Sequence, residues 1–251
     1  MTVFYDLEAE QVRLERLLAD LDWGQWTSAS GAQGWTIADV VLHLAQSEEA
    51  VTACIEHPDL RAAAGGRPAS TVEEHAAEMV RAERPEVFSP SPVFGRWMRA
   101  RRRALDALRG ADPQLSIEWV AGPVKPATLA TTRLTEHWAH GLDITGPLGL
   151  NFPDTERLRH VAWLAHRTLP YALALSGEQQ AAVRCELTAP DGSHVWRYGP
   201  ADAGSSITGP AGAFCRVAVH RLDPADPAGS ALKADGPHGS TALRVLRTYA
   251  Q

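Results

Sequence analysis

The sequence predicts a mainly α protein of the α+β class, a helical bundle over residues 1–176 followed by a small α+β domain over 177–251. Three observations predict it. Apolar residues recur at helical spacing through the first two thirds of the chain, and short Gly- and Pro-containing breaks separate these stretches. After Gly177 the pattern changes to short alternating segments of the kind that form half-buried strands.

The elements follow in order. Residues about 3–22 place Val3, Leu7, Leu14, Leu18 and Leu21 on one helical face, and a loop with Trp23, Gly24, Trp26 and Gly31 ends that helix. A second helix is expected from about Ile37 to Glu56: Thr36 and Asp39 have capping-box spacing, Val40, Val41, Leu44 and Val51 form an apolar face, and His57-Pro58 stops it. Residues 61–69 read as a Gly/Ala/Pro-rich loop, 71–84 as a short helix, and 93–109 as the helix after the Ser89-Pro90-Ser91-Pro92 break. Leu115 to Lys125 suits a short extended piece, and 127–145 a helix closed by Gly146-Pro147. A last long helix, about 154–176, carries Leu158, Val161, Leu169 and Leu173. Beyond it, Ala182–Leu187 and His194–Tyr198 flank Pro190-Asp191-Gly192, a hairpin signal. A helix near 210–220, a loop at 222–230 and a terminal helix near 239–250 complete the reading.

Bulk properties narrow the function. The 251 residues are 45% hydrophobic and 22% charged, close to a globular average, and no apolar run approaches the roughly 18 residues of a membrane helix. The start has acidic residues and no basic-then-apolar leader, so a cytoplasmic protein without a membrane partner is expected. Net charge is −6 and basic residues are scattered, which points away from nucleic acid and toward a small-molecule partner. Cys54, Cys185 and Cys215 are isolated, with no C-x-x-C pair, and read as buried thiols. Lysine occurs only at Lys125 and Lys233 while arginine is abundant, as in the GC-rich coding of actinobacteria. Oligomeric state is not legible.

The stretch Thr135-Glu136-His137-Trp138-Ala139-His140-Gly141-Leu142-Asp143 holds the most chemistry. On a helix Glu136 and His140 project from one face, so two ligands can meet one ion. The same spacing also serves ordinary solvation or pairing. A catalytic zinc site needs three protein ligands and an open position, and His43 on the second helix is a candidate third. His137 lies about 100° round the helix from Glu136, an outside option as ligand. Asp143 suits either an acceptor orienting His140 or a plain carboxylate of the last turn. Cys54, about 16 Å along the axis from His43, is too far to share an ion with it. Arg99, Arg101, Arg102 and Arg103 are expected to form a solvated face opposite Phe94, Trp97, Met98, Leu105 and Leu108. Serine-hydrolase, nucleotide-binding and H-E-x-x-H signatures do not occur.

Two motifs, Trp35-Thr36-Ile37-Ala38-Asp39-Val40-Val41-Leu42-His43-Leu44 and Glu136-x-x-x-His140-x-x-Asp143, resemble the DinB-like metal-binding bundles, specifically the mycothiol-dependent maleylpyruvate isomerase group. The resemblance implies a DinB-like four-helix bundle followed by a small α+β domain, with a divalent metal, zinc, held by His43, Glu136 and His140. It also makes Arg221, in Val217-Ala218-Val219-His220-Arg221-Leu222, a candidate catalytic residue at the site's mouth, where a guanidinium can grip a carboxylate bidentately. A solvated surface arginine is the competing reading.

In the isomerase relatives mycothiol adds to an activated double bond, lets it rotate and leaves. The resemblance thus implies a metal-dependent enzyme that activates a low-molecular-weight thiol, with mycothiol as cosubstrate, for isomerisation of or transfer to a small electrophilic acid. The alternatives are a metal-dependent hydrolase or cyclase working without thiol, and a non-catalytic metal-stabilised ligand-binding module. Loops at 57–70 and 110–126 and His220 beside Arg221 depart from the isomerase pattern, so maleylpyruvate is not assumed as substrate.

Overall fold

A computed structural model describes residues 2–57, 72–84, 89–119, 122–226 and 231–248. The loop expected at 61–69 lies outside them, as does the end of the one at 222–230. The chain divides into two compact units between Phe152 and Pro153. Among the described residues no helix is long and apolar enough to cross a membrane.

The first unit contains α1 (Val3–Ala19), α2 (Trp23–Thr27), α3 (Ile37–Glu56), α4 (Val72–Glu83), α5 (Pro90–Gly110), the strands β1 (Ile117–Trp119) and β2 (Gly122–Val124), and α6 (Pro126–Thr145). Four long helices close a ring of packed pairs, α1 on α6, α6 on α3, α3 on α5 and α5 on α1. Their apolar stripes meet inside it, with Leu7, Leu14, Leu18, Ile37, Leu44, Trp97, Leu108, Leu129, Leu134 and Trp138 all but inaccessible to solvent. Each such large side chain contributes about 1.5–3 kcal/mol through burial.

Local chemistry explains the ends. Helix α3 begins where expected because Thr36 and Asp39 cap it reciprocally: Thr36 Oγ1 accepts the Asp39 N–H at 3.2 Å and Asp39 Oδ2 accepts the Thr36 N–H at 2.9 Å. Arg84 then grips both Asp39 oxygens at 2.8 and 2.7 Å, tying the chain after α4 to the start of α3. Helix α5 starts at Pro90 rather than near residue 93, because a proline in the first turn gives up only an N–H that has no helical partner. The segment read as a loop at Trp23 is the helix α2, capped by Asp22 and Gln25 around the buried Trp26. The extended piece before Pro126 is a hairpin pairing Ile117 with Val124.

Helix α6 is buried almost all round despite its polar composition. Its threonines satisfy themselves: Thr131, Thr135 and Thr145 donate to the carbonyls of Ala127, Thr131 and Gly141 at 2.9, 2.9 and 2.7 Å.

The second unit contains α7 (Leu158–Leu175), β3 (Val183–Thr188), β4 (Val195–Tyr198), β5 (Ser205–Pro210), α8 (Ala211–Ala218), β6 (Lys233–Asp235) and α9 (Gly239–Val245). The expected hairpin is present, with Cys185 opposite Tyr198 and Gly192 at φ 71° in the turn. The sheet order is β4-β3-β5-β6, with β5 parallel to β3 and β6 antiparallel to β5. Strands β5 and β6 escape the sequence reading because Ile207 is the only large apolar residue of one and the other is three residues long. The division at Pro153 corrects the boundary expected at Gly177. Helix α7 buries its stripe, Leu158, Val161, Leu169 and Leu173, against α8, α9 and β4 of the second unit. Periodicity shows that a helix has an apolar face, and not which core the face enters.

Gly141 is a constraint inside α6. A Cβ there would lie 2.4 Å from Cζ of Phe152, whose ring is itself covered by the Arg13 guanidinium 3.5 Å from its centroid. Alanine gains about 1 kcal/mol of helix propensity and loses about 1–3 kcal/mol to overpacking. Gly141→Ala should therefore lower the urea midpoint, by about 1 kcal/mol in stability, and an equally or more stable variant would contradict this packing.

Candidate metal centre

Helix α3 supplies His43, and α6 supplies Glu136 and His140 one turn apart, facing the same space. Glu136 Oε2 lies 3.7 Å from His43 Nε2 and 3.4 Å from His140 Nε2. The two imidazoles meet edge to face, centroids 5.0 Å apart. All three donor atoms fall within 4.8 Å of one another, a spacing that one cation can bridge. The side chains are 15%, 25% and 11% exposed in the order His43, Glu136, His140, so the carboxylate is the most accessible member.

Asp143 settles the tautomer of His140. Its Oδ2 lies 2.9 Å from His140 Nδ1, so that nitrogen carries a proton and Nε2, the atom that faces Glu136, is the one left to meet an ion. Of the two sequence readings of Asp143, the orienting one holds. The loop before α3 is moulded onto this residue: the Gly31 N–H donates to the Asp143 carbonyl at 2.7 Å, and a Cβ on Gly31 would sit 3.1 Å from Asp143 Cα and Oδ1. The same loop presents Trp35, whose ring lies 5.2 Å from His43 and stacks 6.4 Å from His140.

Electrostatics keep the trio unequal. Burial would raise the Glu136 carboxyl, but bonds to His140 and His43 and the nearby Arg133 charge hold it well below the usual carboxylate range. Burial lowers His43. It would lower His140 as well, yet Asp143 and Glu136 together raise it.

His137, the outside option as ligand, points elsewhere. Trp97 Nε1–H donates to its Nε2 at 3.3 Å, and its Nδ1–H donates to the Arg133 carbonyl at 2.8 Å, which uses both nitrogens in a fully buried position. Sequence reading missed this surrounding group, in which Arg133 Nε donates to Glu48 Oε1 at 2.9 Å. A signal was available: Glu48 lies four residues after Leu44 and three before Val51, on the apolar stripe of α3, and Arg133 lies four after Leu129. Arg101 corrects the expected solvated arginine face, because it is buried against Trp97 and pairs with Glu15. Arg103 pairs with Glu56 on the exposed side.

Arg221 belongs to the second unit, just past α8; its backbone N–H donates to Arg216 and its guanidinium to the Val219 carbonyl at 2.7 Å. A second trio, Glu156, Asp191 and His194, also lies there on the surface. Its histidine has both nitrogens engaged, Nε2 by Trp196 Nε1–H at 3.0 Å and Nδ1 by Ser193 Oγ at 2.7 Å, which disfavours a cation.

The model of the mycothiol maleylpyruvate isomerase N-terminal domain matches residues 7–145, the bundle that carries the trio. The chain belongs to that family. Two uncharacterized proteins from strains of Mycobacterium tuberculosis are each 35% identical to it over 222 residues, covering 86% of this chain and 84% of theirs, in keeping with the actinobacterial composition. Crystal structures of the mycothiol-dependent maleylpyruvate isomerase and of a histidine-to-alanine mutant of it align over 94% of both chains, at a TM-score of 0.63 and 17% and 16% identity. At that identity the likeness is one of fold, and it extends through the α+β domain.

Burial, then the Arg133 charge, push His137 down to about 3. An unfolded chain takes up a proton on this residue below about pH 6.5 that the folded chain refuses, so stability is lost as pH falls from there toward 3. In chelator-treated protein, urea midpoints measured at about pH 7, 6 and 5 should fall more steeply for wild type than for His137→Gln, by up to about 1.4 kcal/mol per pH unit. Equal slopes would mean that His137 is not held neutral.

Proposed function

We propose that the chain is a metal-dependent enzyme, with zinc held by His43, Glu136 and His140, that uses a low-molecular-weight thiol such as mycothiol to isomerise, or to be transferred to, a small electrophilic acid. The observation that carries this reading is the convergence of two imidazole nitrogens and one carboxylate oxygen. Donors about 2.0–2.1 Å from one zinc ion stand roughly 3.3 Å apart in a tetrahedron, against 3.4 and 3.7 Å here. Three protein donors leave a fourth position for a reactant.

When bound, zinc supplies the Lewis acidity that makes a thiol a thiolate near neutral pH. The rest is done by the protein's own groups. Asp143 holds the Nδ1 proton of His140 and so aims Nε2. Glu136 stays anionic under the influence of its histidines and Arg133. Trp35 lies against both imidazoles and limits the approach of water from its side. The chain's own thiols are poor nucleophiles: all three are buried, Cys185 is pushed up to about 12 and Cys215 well above its ordinary value. A thiol must therefore come from a small molecule, and mycothiol, after which the matched family and the isomerase of like fold are named, is the first to try. Arg221 is proposed, on the family likeness alone, as the group that grips a substrate carboxylate.

Purified wild-type protein should contain about one zinc per chain, and His43→Ala and His140→Ala should each lose most of it. Mycothiol should raise the melting temperature of the metal-loaded protein and leave the chelated protein unmoved. Melting on chelation with no thiol effect favours the ligand-binding module, and wild-type protein without stoichiometric metal rules the proposal out.

A further inference from the structure

The trio depends on a side chain of α3 meeting two of α6, and a second contact joins the same helices further along. Glu48 and Arg133 are almost entirely shielded from solvent, with Arg133 Nε donating to Glu48 Oε1 at 2.9 Å. Glu48 stands five residues after His43, about 7.5 Å along α3, and Arg133 three residues before Glu136, about 4.5 Å along α6. The two contacts are successive rungs between helices running in opposite directions. A slide of either helix by one residue disturbs both at once. A third helix backs the inner rung, since Trp97 of α5 donates to His137, which in turn donates to the Arg133 carbonyl and lies 3.6 Å from Glu48 Oε1.

We infer that Glu48 and Arg133, backed by His137 and Trp97, are positioning residues that set the spacing of His43 from Glu136 and His140 and thereby the affinity and geometry of the bound ion. This rests on the metal reading above. A buried ion pair is weak as a source of stability and better suited to specifying one register among several. The pair has the marks of that use. Glu48 Oε2 is buried with no hydrogen-bond partner among the described residues, so the contact is not optimised for stability, while two well-packed apolar chains would fill the same space at no electrostatic cost. Both residues are buried, and beyond the Arg133 charge that reaches Glu136 and His43 they act on the trio through the helices that bear the ligands.

The test replaces the rung and leaves the ligands intact. Glu48→Met/Arg133→Met removes both charges together and should give a metal-free protein that melts no lower than wild type. Its zinc affinity should nevertheless fall about 10- to 100-fold, and its cobalt(II) form should show a d–d absorption band changed in position and intensity. A merely structural pair would move the melting temperature and leave the cobalt spectrum alone. A folded double variant with wild-type zinc affinity and cobalt spectrum overturns the inference. If the double variant does not fold, Trp97→Phe decides, since it keeps an aromatic ring in the core and removes the donor to His137: a smaller fall in affinity supports the brace, and wild-type affinity overturns it. Wild-type protein that binds neither zinc nor cobalt overturns the metal reading itself, a failure visible before any variant is made.

Discussion

The register between α3 and α6 is the constraint from which the site follows. Two ligand candidates lie one turn apart on α6 and need only a helix to bring them together, but His43 comes from a helix separated by about 70 residues of chain. Hydrophobic burial drives those helices together without choosing among registers that differ by a turn, because apolar contact is not directional. Directional contacts make the choice. The Thr36–Asp39 box fixes where α3 begins, and Arg84 holds Asp39 in turn. The Glu48–Arg133 pair and the Trp97–His137 bond hold α3, α5 and α6 at one level.

The mouth of the site follows a similar logic at shorter range. Asp143 must accept from His140 while the chain turns out of α6, and a loop from before α3 closes over it. That approach leaves little room for a side chain at residue 31, as Phe152 does at residue 141. Two glycines, neither carrying chemistry, thus permit the packing that keeps His140 in one rotamer and one tautomer. Trp35 belongs to the same loop and reaches both histidines, so the segment that caps α3 also walls the trio.

Much of this was legible in the sequence, and what was not has physical causes. Periodicity and caps placed the long helices because each satisfies its own backbone and displays its apolar stripe locally. Strand β5 was invisible because its burial comes from neighbours distant in sequence and only Ile207 marks it. The helix at 158–175 was recognised and given to the wrong core, since a stripe does not name its partner. At the site, the spacing of Glu136 and His140 offered two ligands, and family resemblance, rather than spacing, brought in His43. The Glu48–Arg133 rung went unread because a charge on an apolar stripe has meaning only when its partner is known. The burial of Arg101 was misjudged for the opposite reason, a run of arginines suggesting a solvated face when one of them turns inward onto Trp97.

X-ray absorption at the zinc edge of the purified protein, before and after addition of mycothiol, tests the central claim most directly. Nitrogen and oxygen neighbours at about 2.0–2.1 Å with histidine outer-shell scattering and no sulfur, followed by one sulfur at about 2.3 Å once the thiol is present, is the expected pair of spectra. Absence of zinc, sulfur ligation before any thiol is added, or an edge that the thiol leaves unchanged would contradict it.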